Sequence, residues 1–275
     1  MLNDVSGAVI VQNLIRGNNS FQGSGVDWSN PPAVFVNNTV VDGTTVGGST
    51  IATDDFATPL TMANNLIIAI HGATNALCGF TDIMNPQAFY TNDVFSANGA
   101  AYGGMCSSQT GFDGNISANP MFVGTSNFRL KAGSPAIDAG NNSVPNLPST
   151  DYAGNPRIIN GNGGSMAVID MGAYEFVPVV LTPKSLSFGL HPVGSTNSKT
   201  IKLTNAQNKV LNISSYSVPT GFSVTGCGAT VAAFTSCTLT ITFHPLTTGT
   251  FKGSLMINDN AGNSPQLVSL SGTGQ

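Results

Sequence analysis

One short phrase, repeated through the first half of the chain, limits its fold more than any other feature. Its clearest copy is Leu60-Thr61-Met62-Ala63-Asn64-Asn65-Leu66-Ile67-Ile68. Earlier copies are Ile10-Val11-Gln12-Asn13-Leu14-Ile15-Arg16 and Phe35-Val36-Asn37-Asn38-Thr39-Val40-Val41. Later ones are Tyr90-Thr91-Asn92-Asp93-Val94-Phe95-Ser96 and the degenerate Ser117-Ala118-Asn119-Pro120-Met121-Phe122. Taking the second polar residue as the mark, the positions are 13, 38, 65, 93 and 119, in steps of 25, 27, 28 and 26. Each copy is rich in Val, Ile, Leu and Phe and bounded by Gly, Asn, Asp and Pro, which is strand punctuation. A period in the twenties built on short apolar strands predicts an all-β solenoid, because one coil cannot bury its own apolar face and a stack can. Strands then lie ~4.8 Å apart, and equal phases form columns. Asn13, Asn38, Asn65, Asp93 and Asn119 are expected to form an internal ladder, since an amide both donates and accepts.

Composition sets the surroundings. Only 8% of residues are charged, and Gly, Asn, Ser and Thr abound, as in all-β extracellular proteins. Residues 1–177 carry Arg16, Arg129, Lys131 and Arg157 against twelve acids, a balance of −8; residues 178–275 carry five Lys against Asp259, a balance of +4. No basic stripe with interleaved aromatics is present, so nucleic acid is not an expected partner. Met1-Leu2-Asn3-Asp4 lacks a basic leader and Val9-Ile10-Val11 is too short to span a membrane. The opening reads as a coil of a longer precursor, or else as an exposed solenoid end able to associate end to end. Four cysteines suit an oxidising compartment. Cys78 and Cys106 are one coil apart, and Cys227 and Cys237 close a short loop; both pairs are expected to be disulfides.

A second column carries the sharpest chemistry. Asp27, Asp54 and Asp82 each lie eleven residues before a ladder position, and a proline follows each. Stacked carboxylates perturb one another's pKa, hold a cation such as Ca²⁺, or turn outward. Neighbouring coils give the ~5 Å separation of retaining glycosidases. The competing reading is plain turn chemistry, Asp bonding a backbone N–H before a Pro-marked strand. Trp28, Asp55, Tyr90 and Tyr102 are candidate sugar contacts, and His71 sits at a bend with no partner at its own phase. No structural metal or resident cofactor is expected.

From Asn119 the phrasing changes. Asn119-Pro120-Met121-Phe122 leads to Phe128-Arg129-Leu130-Lys131-Ala132-Gly133-Ser134-Pro135-Ala136-Ile137-Asp138-Ala139-Gly140. Asp151-Tyr152-Ala153-Gly154-Asn155-Pro156-Arg157 follows, then Ile169-Asp170-Met171-Gly172-Ala173-Tyr174-Glu175-Phe176. This series resembles the end of the pectin-lyase-like right-handed parallel β-helices of the choice-of-anchor Q kind, over about residues 60–176. The resemblance implies a right-handed parallel β-helix, an extracellular location and polysaccharide association, without fixing a reaction. The series reads as a terminal cap in which Arg157 can fork onto Asp138, Asp151 or Asp170.

Beyond residue 177 the character shifts again. Val177-Pro178-Val179-Val180-Leu181-Thr182-Pro183 reads as a stiff junction. Seven strand-like runs follow: Leu186–Phe188, Thr200–Thr204, Val210–Ser214, Phe222–Val224, Cys237–Phe243, Gly253–Ile257 and Leu267–Ser271. They predict a seven-stranded immunoglobulin-like sandwich. Leu186-Ser187-Phe188-Gly189, Leu203-Thr204-Asn205, Phe243-His244-Pro245 and Leu270-Ser271-Gly272-Thr273-Gly274 resemble the hydin-like ASH domains, called choice-of-anchor D in bacteria, over 181–275. The resemblance implies a PapD-type spacer or binding module.

The domains expected are therefore 1–177 and 178–275. The function expected is a secreted or cell-surface carbohydrate-associated binding or display protein with a polysaccharide or surface glycan as partner. The alternatives are a glycoside hydrolase using an Asp pair among Asp27, Asp54 and Asp82, and a structural or adhesive fibre element. A lyase for uronic polymers is disfavoured by the acidic solenoid.

Overall fold

The computed structural model describes residues 7–19, 23–28, 32–44, 46–53, 60–79, 88–104 and 106–275, with backbone alone at 78 and 79. All regular elements among them are strands. The chain divides into two compact units, one of Met1–Asn160 with Ser165–Phe176, the other of Gly161–Gly164 with Val177–Gln275.

The first unit lays down three strands per turn. β1 (Val9–Val11), β2 (Leu14–Arg16) and β3 (Gly23–Trp28) make the first turn; β4 (Val34–Val36), β5 (Thr39–Val41) and β6 (Ser49–Thr53) the second. β7 (Thr61–Ala63), β8 (Leu66–Ala69) and β9 (Asn75–Gly79) make the third, and β10 (Ala88–Tyr90), β11 (Asp93–Ser96) and β12 (Tyr102–Gly104) the fourth. Corresponding strands pair in parallel, giving three four-stranded sheets. Each sheet sends one apolar column inward: Ile10–Phe35–Met62–Phe89, Ile15–Val40–Ile67–Val94 and Val26–Ile51–Leu77–Tyr102. The columns meet in one buried cluster. At roughly 1.5–3 kcal/mol for each fully buried side chain, this cluster is the main source of the unit's stability.

The bend between the first two sheets explains the repeated phrase. Gln12, Asn37, Asn64 and Thr91 all take positive φ, between 52° and 60°, turning the chain sharply. The next residue forms the ladder. The backbone N–H and side-chain Nδ2 of Asn13 both donate to Asn38 Oδ1, at 2.9 and 3.1 Å. Asn38 donates likewise to Asn65 (2.9 and 3.2 Å), Asn65 to Asn92 (3.0 and 2.9 Å) and Asn92 to Asn115 (2.9 and 3.1 Å). The remaining Nδ2 hydrogens go to carbonyls, as from Asn65 to Phe35 O at 2.8 Å. Every buried polar atom of a rung is thereby used. The fourth and fifth rungs are Asn92 and Asn115, not Asp93 and Asn119. Asp93 stands one place on, in register with Leu66, and Asn119 instead closes its own turn onto the Met121 N–H at 2.8 Å.

The segment expected to cap the stack lies along its side instead. After the antiparallel pairs β13 (Phe122–Gly124) with β14 (Asn127–Leu130) and β15 (Ile158–Ile159) with β16 (Val168–Ile169), it straps the Asn bend. Asn37 Nδ2 donates to the Asp170 and Gly172 carbonyls, Gly172 N–H to Asn64 O (2.7 Å), and Ala173 N–H to Thr39 Oγ1 (2.9 Å). Gly172 is required there: its φ is +92°, and a Cβ would meet Leu66 Cδ1 and Thr39 Oγ1 at 2.7 Å. Val144 and Leu147 pack on the outward column Val11–Val36–Ala63–Tyr90, so the middle of this sheet, at Val36 and Ala63, is buried on both faces. Arg157 is buried and pairs with Glu175 (3.4 Å), not with the three aspartates expected. Asp151 and Asp170 serve backbone N–H groups instead, those of Ala153, Asn155 and Glu175 and those of Asp138 and Phe176. Burial raises both Asp170 and Glu175 well above the carboxylate range, with Arg157 pulling the other way.

The second unit is a two-sheet sandwich. Its strands are β17 (Val179–Thr182), β18 (Ser185–His191), β19 (Asn197–Asn205), β20 (Leu211–Ser217), β21 (Phe222–Gly226), β22 (Thr230–Val231), β23 (Ser236–Phe243), β24 (Gly249–Asp259) and β25 (Gln266–Gly274). The sheets run β17-β19-β23-β21 and β18-β25-β24-β20-β22. All seven expected runs are strands. The supposed junction supplies an eighth, β17, paired antiparallel to β19, and β22 a ninth. Leu239, Ile241 and Phe243 point inward and alternate with threonines that are less buried, the half-buried pattern anticipated. Phe243 centres the core, with ring centroids 4.9 Å from Phe222, 5.4 Å from Phe251 and 5.6 Å from Phe188. Cys227 and Cys237 are disulfide-bonded. Cys78, half of the other expected pair, has a side chain outside the described residues.

Candidate functional site

Of the aspartate column only Asp27 lies among the described residues. Asp27 pairs with Ala52, and Ala52 with Cys78, so the eleven-residue count does not follow the sheet at Asp27. Asp54, Asp55 and Asp82 lie outside the described residues. Three aromatic candidates prove to be packing. Trp28 is fully buried, edge-on to Phe35 at 5.3 Å; Tyr102 ends the third inward column, against Phe89; Tyr90 ends the outward column beneath Val144 and Leu147. Trp28 and Tyr102 are buried, whereas Tyr90 is half-buried. Among the described residues no group of three His, Cys, Asp or Glu side chains is gathered to hold a metal ion.

The structure assembles a different site from residues the column never touched. Asp42 follows β5 and is buried, and the bend after β8 wraps around its carboxylate. Oδ1 accepts the N–H of Ile70 (2.9 Å); Oδ2 accepts those of His71 (2.9 Å), Gly72 (2.8 Å) and Ala73 (2.9 Å). His71 Nδ1 lies 3.1 Å from Oδ1 and 3.0 Å from the Asp42 carbonyl. Both neighbours can only accept, so Nδ1 carries a proton. The half-exposed imidazole is thus held in one orientation.

His71 opens onto a pocket of about 260 Å³, shared with Arg16, Asn19, Asp42, Thr44 and Phe128. Asn19 Oδ1 accepts the Thr44 N–H at 2.9 Å, fixing that rim, and a Cβ at Gly43 would strike Asn18 O at 1.9 Å. Opposite, the Arg16 guanidinium lies 5.5 Å above the buried Phe128 ring and donates to Ser126 O at 3.5 Å. Phe128 is in turn set edge-on to Phe122, at 5.1 Å.

A second cation and ring pair lies outside the pocket. Arg129 Cζ stands 4.8 Å over Tyr174, whose ring meets the exposed Tyr152 edge-on at 5.4 Å. Burial raises the Tyr174 phenol, and Arg129 beside it pulls the other way. The sequence carried two signals for this surface that phase-matching alone passed over. Few residues of the first unit are basic, and Tyr152 has no packing column to join.

Comparison with known proteins bears mainly on the second unit. Residues 178–267 match the family model described as "Abnormal spindle-like microcephaly-assoc'd, ASPM-SPD-2-Hydin" (ASH), so the sandwich carries an ASH domain. No curated protein matches the chain. Similar solved structures include a protein of unknown function from Porphyromonas gingivalis W83, 14% identical, covering 34% of this chain and 46% of that one at a TM-score of 0.32. The chain thus spans about half of that protein, 46%. Another is the ASH/PapD-like domain 7 of human CEP192, 16% identical, covering 36% and 85%, TM-score 0.31. A third is the VesB protease of Vibrio cholerae, 14% identical, covering 44% and 43%, TM-score 0.30.

Proposed function

We propose that this is a secreted or cell-surface carbohydrate-binding protein. Its first unit is a right-handed parallel β-helix of the pectin-lyase-like, choice-of-anchor Q kind, and its ASH domain is a spacer or docking module. The observation that carries this reading is the Arg16–His71 pocket, with the exposed Tyr152 on the same unit. Together they offer an open polar pocket, an oriented imidazole and an exposed tyrosine, the groups that orient hydroxyls and stack on a sugar ring. The Cys227–Cys237 disulfide suits an oxidising compartment. The hydrolase reading drew on an aligned column, and Asp27 has Ala52 and Cys78 as its neighbours in register.

The test is retention of the full chain on a polysaccharide panel, with reducing ends assayed in parallel. We expect retention without release of reducing ends, and a loss of roughly tenfold or more in affinity for Tyr152→Ala. Release of reducing ends would return the assignment to a hydrolase. Retention on no glycan would remove the carbohydrate reading.

A further inference from the structure

We infer that the pocket takes a single acidic substituent, a carboxylate, sulfate or phosphate group, on an otherwise neutral glycan. This rests on the carbohydrate reading above and narrows it. Residues 1–177 hold four Lys and Arg against twelve acids. Arg157 is buried in the strap, so surface cations are scarce. One of the remaining three, Arg16, nevertheless lines the pocket with His71. The one carboxylate there, Asp42, is buried beneath four N–H groups and the imidazole, so it presents little negative charge to a ligand. The Ser126 O bond of Arg16 is long, 3.5 Å, and its guanidinium is exposed, leaving donors for an oxyanion. His71 Nε2 suits a neighbouring hydroxyl.

The surroundings set the number of charges. Arg16 is the only Lys or Arg among the described residues lining the pocket, so a further acid on a polymer has no cationic partner there. Beyond the Debye length of ~8 Å Arg16 no longer compensates it. One oxyanion gains, and a row of them loses.

The experiment uses the full chain and matched glycan sets. Neutral members are xylan, agarose and mannan oligomers. Singly acidic members are the same oligomers bearing one glucuronate, one sulfate or one phosphate. Oligogalacturonate and a heparin-type oligomer are uniformly acidic. We expect one singly acidic member to bind roughly ten- to a hundredfold tighter than its neutral parent, and tighter than either uniformly acidic oligomer. Arg16→Gln, at an exposed position, should bring it back to the parent's affinity. Equal binding of parent and acidic oligomer would overturn the inference and leave the carbohydrate reading standing. Tightest binding of a uniformly acidic oligomer, or an Arg16→Gln protein that keeps the preference, would also overturn it. Binding of no member would end both. The winning substituent identifies the group.

Discussion

The two units solve the same problem, burying short strands, with opposite use of polar residues. In the sandwich most polar side chains alternate outward and the core centred on Phe243 is apolar, with Asn205, Gln207 and Gln266 buried at its edge positions as exceptions. In the stacked unit polar side chains run through the interior. Asn38, Asn65 and Asn92 are fully buried, and the strap encloses Arg157, Asp170 and Glu175. A sandwich face needs only the right alternation, so its polar positions tolerate change. A stacked bend needs each amide, because every rung satisfies its neighbour.

The sharpest way to break this contrast is to remove one group from each interior. Asn65→Ala strips the acceptor from two donors of Asn38 and should cost roughly 3–5 kcal/mol. Phe243→Ala should cost a similar ~3–5 kcal/mol through its cavity. Calorimetry of the full chain should show each change moving only its own unit's transition. A shared shift would mean that the units do not unfold independently.

Acidity should separate the units next. Burial pushes Asp93 up to about 7, and one of its oxygens lacks a partner. The folded state therefore holds a proton that the unfolded chain releases near the ordinary carboxylate value. Stability contributed here is full below that value and is lost as pH rises toward 7. Between pH 5 and pH 8 the first unit should lose about 3 kcal/mol at this residue, and burial of Asp170 acts in the same direction. Denaturant midpoints against pH measure it, and Asp93→Asn should flatten the curve.

Smaller effects refine the picture. Replacing Cys227 and Cys237 by Ala should lower only the second transition, by about 2.5 kcal/mol, the worth of closing so short a loop. Arg16→Gln should change stability by less than about 0.5 kcal/mol while altering ligand preference, because Arg16 is exposed.

How far the sequence could be read follows from the same contrast. Asn13, Asn38 and Asn65 were legible because equal phase means stacking. Asp93 misled because the bend column accepts Gln12, Asn37, Asn64 or Thr91, so counting polar residues slips by one where Thr replaces Asn. The seven sandwich runs showed their alternation, but β17 was hidden by its flanking prolines. Trp28 and Tyr102 could not be placed, since strands buried on both faces carry no inward–outward signature. The Asp42–His71 pair was invisible to phase because the bend after β8 wraps back: Asp42 is level with Ala69, two residues before its partner. Arg157 had several acids within reach in sequence, and only the folded strap selects Glu175.

The ladder also has a direction, since each asparagine donates its backbone N–H and a side-chain N–H to the oxygen of the following one. Inheritance can therefore lengthen or shorten this half of the molecule by whole turns without leaving an unmatched amide. Slippage of a single residue within the phrase would break the series on both sides. The rungs are unevenly spaced, by 25, 27, 27 and 23 residues, while the strands flanking the bend keep to three or four, so the links and the third strand of each turn absorb the difference.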